Sequence, residues 1–382
     1  MYDLILKGGR LIDPAQGIDT KTDIAFSAGK VAKISEDIDA SQAAHTRDVS
    51  GCIVSPGLID LHTHVYWGGT SLGVDSDTIA KRSGTATFVD AGSAGAGNMA
   101  GFREHVIRPS KPRILAYINV SFPGIYAFSK TVMVGECEDL RLLDTRECLR
   151  VARENKDIVV GVKARVGFHA GKNSGAAPLD MAIEVADELN LPVMAHIDFP
   201  PPSRDEVLSR LRPGDILTHC CRSFPNAPID RDKRIRPEIL EARERGIIFD
   251  IGHGFGGFSF ESGKAFLDQG FPPDVISSDV HVLSVDGPAH DVLAVMSKFL
   301  CMGMDLVDVI GAATAKPAEV LRRNDIGTLS VGSVGDATII KLTDGEFDYI
   351  DAMGEVLKGN KRLAYRGLVL GGEWWHDGEA SI

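Results

Sequence analysis

The chain has no cluster of lysine and arginine. Its 41 basic residues are outnumbered by 53 acidic ones, giving a formal charge of −12 over 382 residues. Nothing in it would neutralise a run of phosphates, so no nucleic-acid partner is expected. The six cysteines, Cys52, Cys137, Cys148, Cys220, Cys221 and Cys301, form no C-x-x-C and no small-domain disulfide spacing. Reduced thiols in a cytoplasmic protein are the expectation, and a zinc-finger arrangement is not. No apolar run reaches membrane-spanning length, and "MYDLILKGGRLIDP" lacks the basic-then-apolar order of a signal peptide, so no membrane partner is expected. Low-complexity segments and short-period repeats are missing too.

What is present is a long chain with 44% hydrophobic residues, enough for one large α/β unit and a smaller one. Between residues 57 and about 310, eight short segments rich in β-formers alternate with helical patterns. They run from "GLIDLHTHV" (57–65) through "TATFVDAGS" (85–93), "RILAYINVSF" (113–122) and "DIVVGVKARV" (157–166). "LPVMAHIDF" (191–199), "GDILTHCC" (214–221), "GIIFDIGHG" (246–254) and "PDVISSDVHV" (273–282) complete the series. Stretches such as "PLDMAIEVADELN" carry a helical apolar stripe, and Ser203 and Gly246 read as helix-start and helix-stop residues. Eight β-then-α units predict an α/β fold of the (β/α)8 TIM-barrel type. A doubly wound sheet fits less well, because no Gly-rich phosphate turn follows the first strand. The flanks are strand-like with glycine turns and no helices. They predict a small β-sandwich domain built from both termini, residues 1–55 and 325–382, beside a barrel over 56–324. The long spacing containing "SFPGIYAFSKTVMVGECEDL" predicts a loop over the barrel mouth.

Barrel chemistry sits at the C-terminal ends of the strands. Those ends carry His62 and His64, Lys163, His196, His219 and Asp279. Each alone has a structural explanation, such as a half-buried histidine, a rim lysine or a turn-capping aspartate. Six at one rim favour a metal centre. Lysine is the informative member, since its ammonium has a pKa of about 10.4 and no lone pair. Burial beside imidazoles and cations would free the amine, which can then add carbon dioxide to become a carbamate with two oxygens. The expectation is a carboxylated Lys163 bridging two divalent ions roughly 3.5 to 4 Å apart. His62, His64 and Asp279 would hold one ion and His196 with His219 the other. Imidazole and carboxylate ligands suit zinc, with manganese, cobalt or nickel as alternatives.

This pattern resembles the binuclear amidohydrolase superfamily. "GGRLIDP", "PGLIDLHTHV" and "GTLSVGSVGDATII" resemble its dihydroorotase-like members, so the similarity spans nearly the whole chain. "VKAR", "GDILTHC", "FDIGHG" and "ISSDV" look like the bacterial amidohydrolase/deacetylase group. The resemblance implies a metal-bridging hydroxide attacking a carbonyl, with Asp279 as the catalytic proton carrier. The implied substrate is a small-molecule amide, cyclic amide or acyl ester, with deacetylation favoured. A dihydroorotase-type cyclic amidohydrolase is the alternative, although Tyr66 stands where dihydroorotases carry an arginine. A mononuclear deaminase would not use Lys163, and a non-catalytic binding module would have lost ligands. Dimers are common among such relatives, so a homo-oligomer is expected. Substrate-contact candidates are Arg165, which would fork a carboxylate or pair with an acid at the rim, and His253 and His281, which would donate to the developing oxyanion or orient a ligand. Tyr126 would close over substrate or pack under the loop.

Overall fold

The computed structural model describes residues 1–378. Five strands come first, β1 (Tyr2–Asp13), β2 (Ile18–Ser27), β3 (Lys30–Ser35), β4 (Ala43–Asp48) and β5 (Ile53–Pro56). Seven parallel strands follow, beginning with β6 (Leu58–Thr63), β7 (Thr85–Gly95), β8 (Arg113–Asn119) and β9 (Val159–Val166). The last three of these are β10 (Val193–Ile197), β11 (Ile216–Leu217) and β12 (Ile248–Phe249). The chain closes with β13 (Ala337–Ile350), β14 (Val356–Leu370) and β15 (Glu373–Asp377).

Both ends of the chain build one mixed sheet of eight strands. Its order is β15-β14-β13-β5-β1-β2-β3, with β4 also on β1. β1 is long enough to serve two parallel neighbours in turn, β4 along Tyr2–Lys7 and β5 at Arg10 and Leu11. Leu4, Leu6 and Leu11 of β1 share a buried cluster with Phe26, Val54, Ile339 and Val369, so residues from both termini fill one core. Hydrogen bonding thus joins strands from both termini into a single sheet.

The parallel sheet runs in chain order from β6 to β12. Alternation along its strands separates two layers. Ile114, Ala116 and Ile118 of β8 and Val162, Ala164 and Val166 of β9 pack with Leu179, Ala182 and Val185 of the helix Ala177–Leu189. That helix ends at Asn190, whose φ of 52° closes the last turn. Ser203 caps the helix Arg204–Leu208 by accepting from Glu206 N, as its sequence predicts. On the opposite face, Leu115, Tyr117, Met194 and Ile216 form a second cluster. Lys163 is in register with Met194, and Arg165 with His196, so the charged groups stand on this second face.

The eighth segment, 273–282, is not a strand. It makes one parallel bridge at Val275 to Asp250, just beyond β12, and another at Val280 to Thr63 of β6. It therefore touches both edges of the seven-stranded sheet. Among the described residues, no helix is long and apolar enough to cross a membrane.

Candidate metal centre

The backbone departs from regular strand geometry at two of the six candidate ligands, His219 and Asp279. His62 lies within β6 and His64 just past it, Lys163 is in β9, and His196 is in β10. His219, two residues after β11, has φ of 58°, and Asp279, in the segment that bridges both sheet edges, has φ of 49°. Neither is glycine, and such a left-handed backbone costs of order 1–3 kcal/mol unless the surroundings hold it. These two turns explain why the predicted strands at 214–221 and 273–282 are cut short, since a left-handed residue cannot continue a ladder. Gly252 and Gly254 do the same beyond β12, with φ of 47° and 52°. A Cβ at Gly254 would lie 2.1 Å from Asp279 Oδ2, and one at Gly252 would lie 2.3 Å from Thr218 Oγ1.

The six candidates converge. Asp279 Oδ1 lies 3.2 Å from His64 Nε2 and 3.5 Å from His62 Nε2. Lys163 Nζ is 3.3 Å from His62 Nε2. His196 Nδ1 and His219 Nε2 are 2.7 Å apart, and the His62 and His219 ring centres are separated by 5.2 Å. Three imidazoles are anchored from behind. Thr218 Oγ1 donates to Asp250 Oδ2 at 2.6 Å, which leaves it to accept from His62 Nδ1 at 2.7 Å. His64 Nδ1 contacts Ser93 Oγ at 2.9 Å, and His219 Nδ1 donates to the Gly252 carbonyl at 2.6 Å. Each of the three rings therefore turns Nε2 inward, because a hydrogen bond at Nδ1 fixes the ring and leaves the other nitrogen for an ion.

Burial sets the electrostatics. It pushes the Asp279 carboxyl up to about 6 and the Lys163 ammonium down to about 7. His64 is held down to about 3 and His281 to about 4, while His62, His196 and His219 fall well below the ordinary imidazole range, all through desolvation. Four neutral imidazoles, an amine close to neutrality and a carboxyl reluctant to ionise make a site rich in lone pairs and short of cationic charge.

The residues fit a divalent-ion centre on that ground and on geometry. His62, His64 and Asp279 offer ligand atoms all within 4.8 Å of one another, and Asp279 Oδ1 is buried with no hydrogen-bond partner among the described residues. A buried acceptor left unpaired is costly unless something electropositive faces it. The cavity they line has a volume of about 40 Å³ and is also lined by Leu72, Ile125 and Phe128. Ile125 and Phe128 come from the long loop expected over the mouth.

The substrate-contact candidates part company. His281 lines this cavity, its ring 6.0 Å from that of His64. Arg165 also lines it, but its Nη1 donates to Glu136 Oε2 at 3.0 Å, so the rim ion pair is the arrangement seen. His253 is not brought to the group. Its Nε2 lies 2.8 Å from Lys298 Nζ and its Nδ1 3.0 Å from the Gly254 carbonyl. In "IGHG" it is the two glycines that approach the site. Tyr126 is exposed and contributes its carbonyl to Ser71 Oγ. Sequence reasoning missed Glu136, Asp250 and Thr218. Thr218 and Asp250 adjoin motifs already singled out, in "LTH" and "FDIGHG", and their polarity inside apolar strands was the available signal.

The amidohydrolase family model matches residues 53–204, which hold four of the six gathered residues. A deacetylase of Brucella anthropi is 35% identical over 93% of this chain and 88% of its own length. A deacetylase of Agrobacterium fabrum is 34% identical over 93% and 86%. A crystal structure of a dihydroorotase, 33% identical, superposes with a TM-score of 0.90 over 99% of this chain and 100% of that one. One of an adenine deaminase, 28% identical, superposes with a TM-score of 0.91 over 99% and 100%. Whole-length similarity at this level, together with histidines, lysine and aspartate meeting at one end of a parallel sheet, places the chain in the amidohydrolase family as a hydrolytic enzyme.

Proposed function

We propose that the protein removes an acyl group from a small-molecule amide or ester, as a deacetylase-type amidohydrolase working with two divalent ions. In this reading His62, His64 and Asp279 would hold one ion, His196 and His219 would hold the other, and Lys163 would contribute to both. Ligand type favours zinc. When bound, the ions supply Lewis-acid chemistry, acidifying water towards a pKa of about 7 and polarising a carbonyl.

The chain's own groups do the rest. Lys163, buried and drawn towards its neutral form, adds carbon dioxide at Nζ with loss of a proton, and the resulting carbamate gains two oxygen ligands. Asp279 takes a proton from the attacking water and returns it to the leaving nitrogen or oxygen, since a carboxylate has two oxygens and can face an ion with one while it carries a proton on the other. Arg165 and His281 bound the space beside it and exclude water. The observation that carries this reading is the convergence of Asp279 Oδ1 on His62 and His64, beside a buried lysine 3.3 Å from His62.

The fold supports the same reading. Seven parallel strands plus the segment touching both edges are consistent with a (β/α)8 barrel over 56–324, flanked by a smaller β unit from 1–55 and 325–382. A cytoplasmic homo-oligomer acting on a small molecule remains the reading of the sequence. Dihydroorotase-type chemistry is less well supported, because Tyr66 stacks on Phe102 and its hydroxyl donates to the Asn98 carbonyl at 3.2 Å. That side chain is committed elsewhere and does not line the cavity.

Metal analysis with a panel of N-acetyl and O-acetyl compounds tests the proposal. Two ions per chain and turnover of at least one acyl compound are expected. Asp279→Asn should keep much of its metal and lose nearly all turnover. A protein that takes up no metal and hydrolyses no amide or ester would overturn it.

A further inference from the structure

We propose that Asp198 is a positioning residue for His196, selecting the imidazole tautomer that leaves Nδ1 free to face an ion. This rests on the metal-centre reading above. Among the four gathered imidazoles His196 is turned the other way. His62, His64 and His219 present Nε2 and are anchored at Nδ1 by Thr218, Ser93 and Gly252. His196 instead directs Nδ1 at His219 Nε2, 2.7 Å away, and its buried Nε2 has no hydrogen-bond partner among the described residues. Asp198 Oδ2 lies 3.6 Å from that nitrogen and is likewise buried without a partner. Two complementary groups, each lacking a partner and facing one another, become a hydrogen bond with a shift of a few tenths of an ångström.

Asp198 is held in place for this. Its Oδ1 accepts from His169 N at 3.2 Å, and Asn226 Nδ2 donates to its carbonyl at 2.6 Å. Gly167 leaves room for the carboxylate, since a Cβ there would lie 2.1 Å from Asp198 Oδ1.

The tautomer decides whether the pair can bind a cation. His219 gives its Nδ1 proton to Gly252, so its Nε2 carries a lone pair. With its proton on Nδ1, His196 would donate to that lone pair and shut the pair to ions. With its proton on Nε2, held by the Asp198 carboxylate in a charge-assisted bond, two lone pairs face each other and a cation reconciles them. Asp198 thereby favours the open form.

The test is titration of metal-free protein with Co2+ against a chelator, with the proton on His196 located by 15N–1H spectroscopy of the Zn2+-loaded protein. Asp198→Asn keeps the shape and an acceptor for His169 but loses the charge, and Asp198→Ala loses both. In each variant one ion should bind about 10- to 100-fold more weakly. The other should change by less than about threefold, and thermal melts should report folded protein. Wild type should carry the His196 proton on Nε2. Unchanged affinity for both ions in Asp198→Ala, or a loaded wild type with the proton on Nδ1, would overturn the inference alone. A wild type that binds no ion would overturn the metal-centre reading as well. If neither variant folds, the wild-type spectrum decides.

Discussion

Arg165 and Glu136 have almost no water to fall back on, being 7% and 1% exposed, and each charge depends on the other. The guanidinium also lies over the Phe128 ring at 5.1 Å, tying the loop above the cavity to β9. Removing one partner of such a pair typically costs roughly 3–5 kcal/mol, because the survivor stays buried and unpaired. Glu136→Ala should therefore lower stability by about that amount in denaturant titrations. The double variant Glu136→Leu with Arg165→Met should recover most of it. Metal content should be unchanged in all of them, since neither side chain is among the gathered ligands. The metal candidates themselves could be read from sequence because each stands at the end of a recognisable apolar segment. Glu136 could not, since it comes from an irregular loop 29 residues before its partner. His253 shows the opposite failure, as its strand-end position matched the others while its ring points to Lys298.

The helix Thr145–Glu154 illustrates what an element conceals. Asp144 caps it by accepting from Arg146 N and Glu147 N, and Cys148 faces inward to the Asn119 carbonyl of β8 at 3.7 Å. Burial pushes that thiol up to about 12 from an ordinary value of 9.0. Above pH 9 the unfolded chain releases a proton that the folded protein keeps, so folding stability falls as pH rises. The slope from this one thiol approaches roughly 1.4 kcal/mol per pH unit within that window. Melting temperatures from pH 8 to 11 should decline more steeply for wild type than for Cys148→Ala. At the same scale, the apolar runs located all seven parallel strands but overstated two of them and added an eighth at 273–282 that is not a strand. β11 and β12 are two residues long because His219, Gly252 and Gly254 turn the chain into left-handed backbone. Apolar patterning reports which residues are buried, and it is silent on where a functional side chain forces the ladder to end.

Across the whole molecule the terminal sheet unites the two ends. β5 pairs antiparallel with β13, from Pro56 opposite Ala337 to Ile53 opposite Ile340, and Ser55 Oγ donates to the Thr338 carbonyl. A chain truncated after residue 335 would leave β5 with an open edge and the β1 core without Ile339 and Val369. It should be recovered mainly as aggregate, which solubility and circular dichroism will show. That both flanks were strand-like was plain from their glycine-punctuated β-formers. Their union in one sheet was not, because pairing across some 280 residues leaves no local trace.

The β5–β13 seam also dictates an order of events during synthesis. The opening strands leave the ribosome long before the segment that must dock beside β5 exists, and most of the polypeptide has to be made in the interval. Such distant pairing makes closure of this seam a late and comparatively slow stage of maturation. Until it closes, the newborn amino-terminal half carries an unsatisfied ladder that chaperones would have reason to shield.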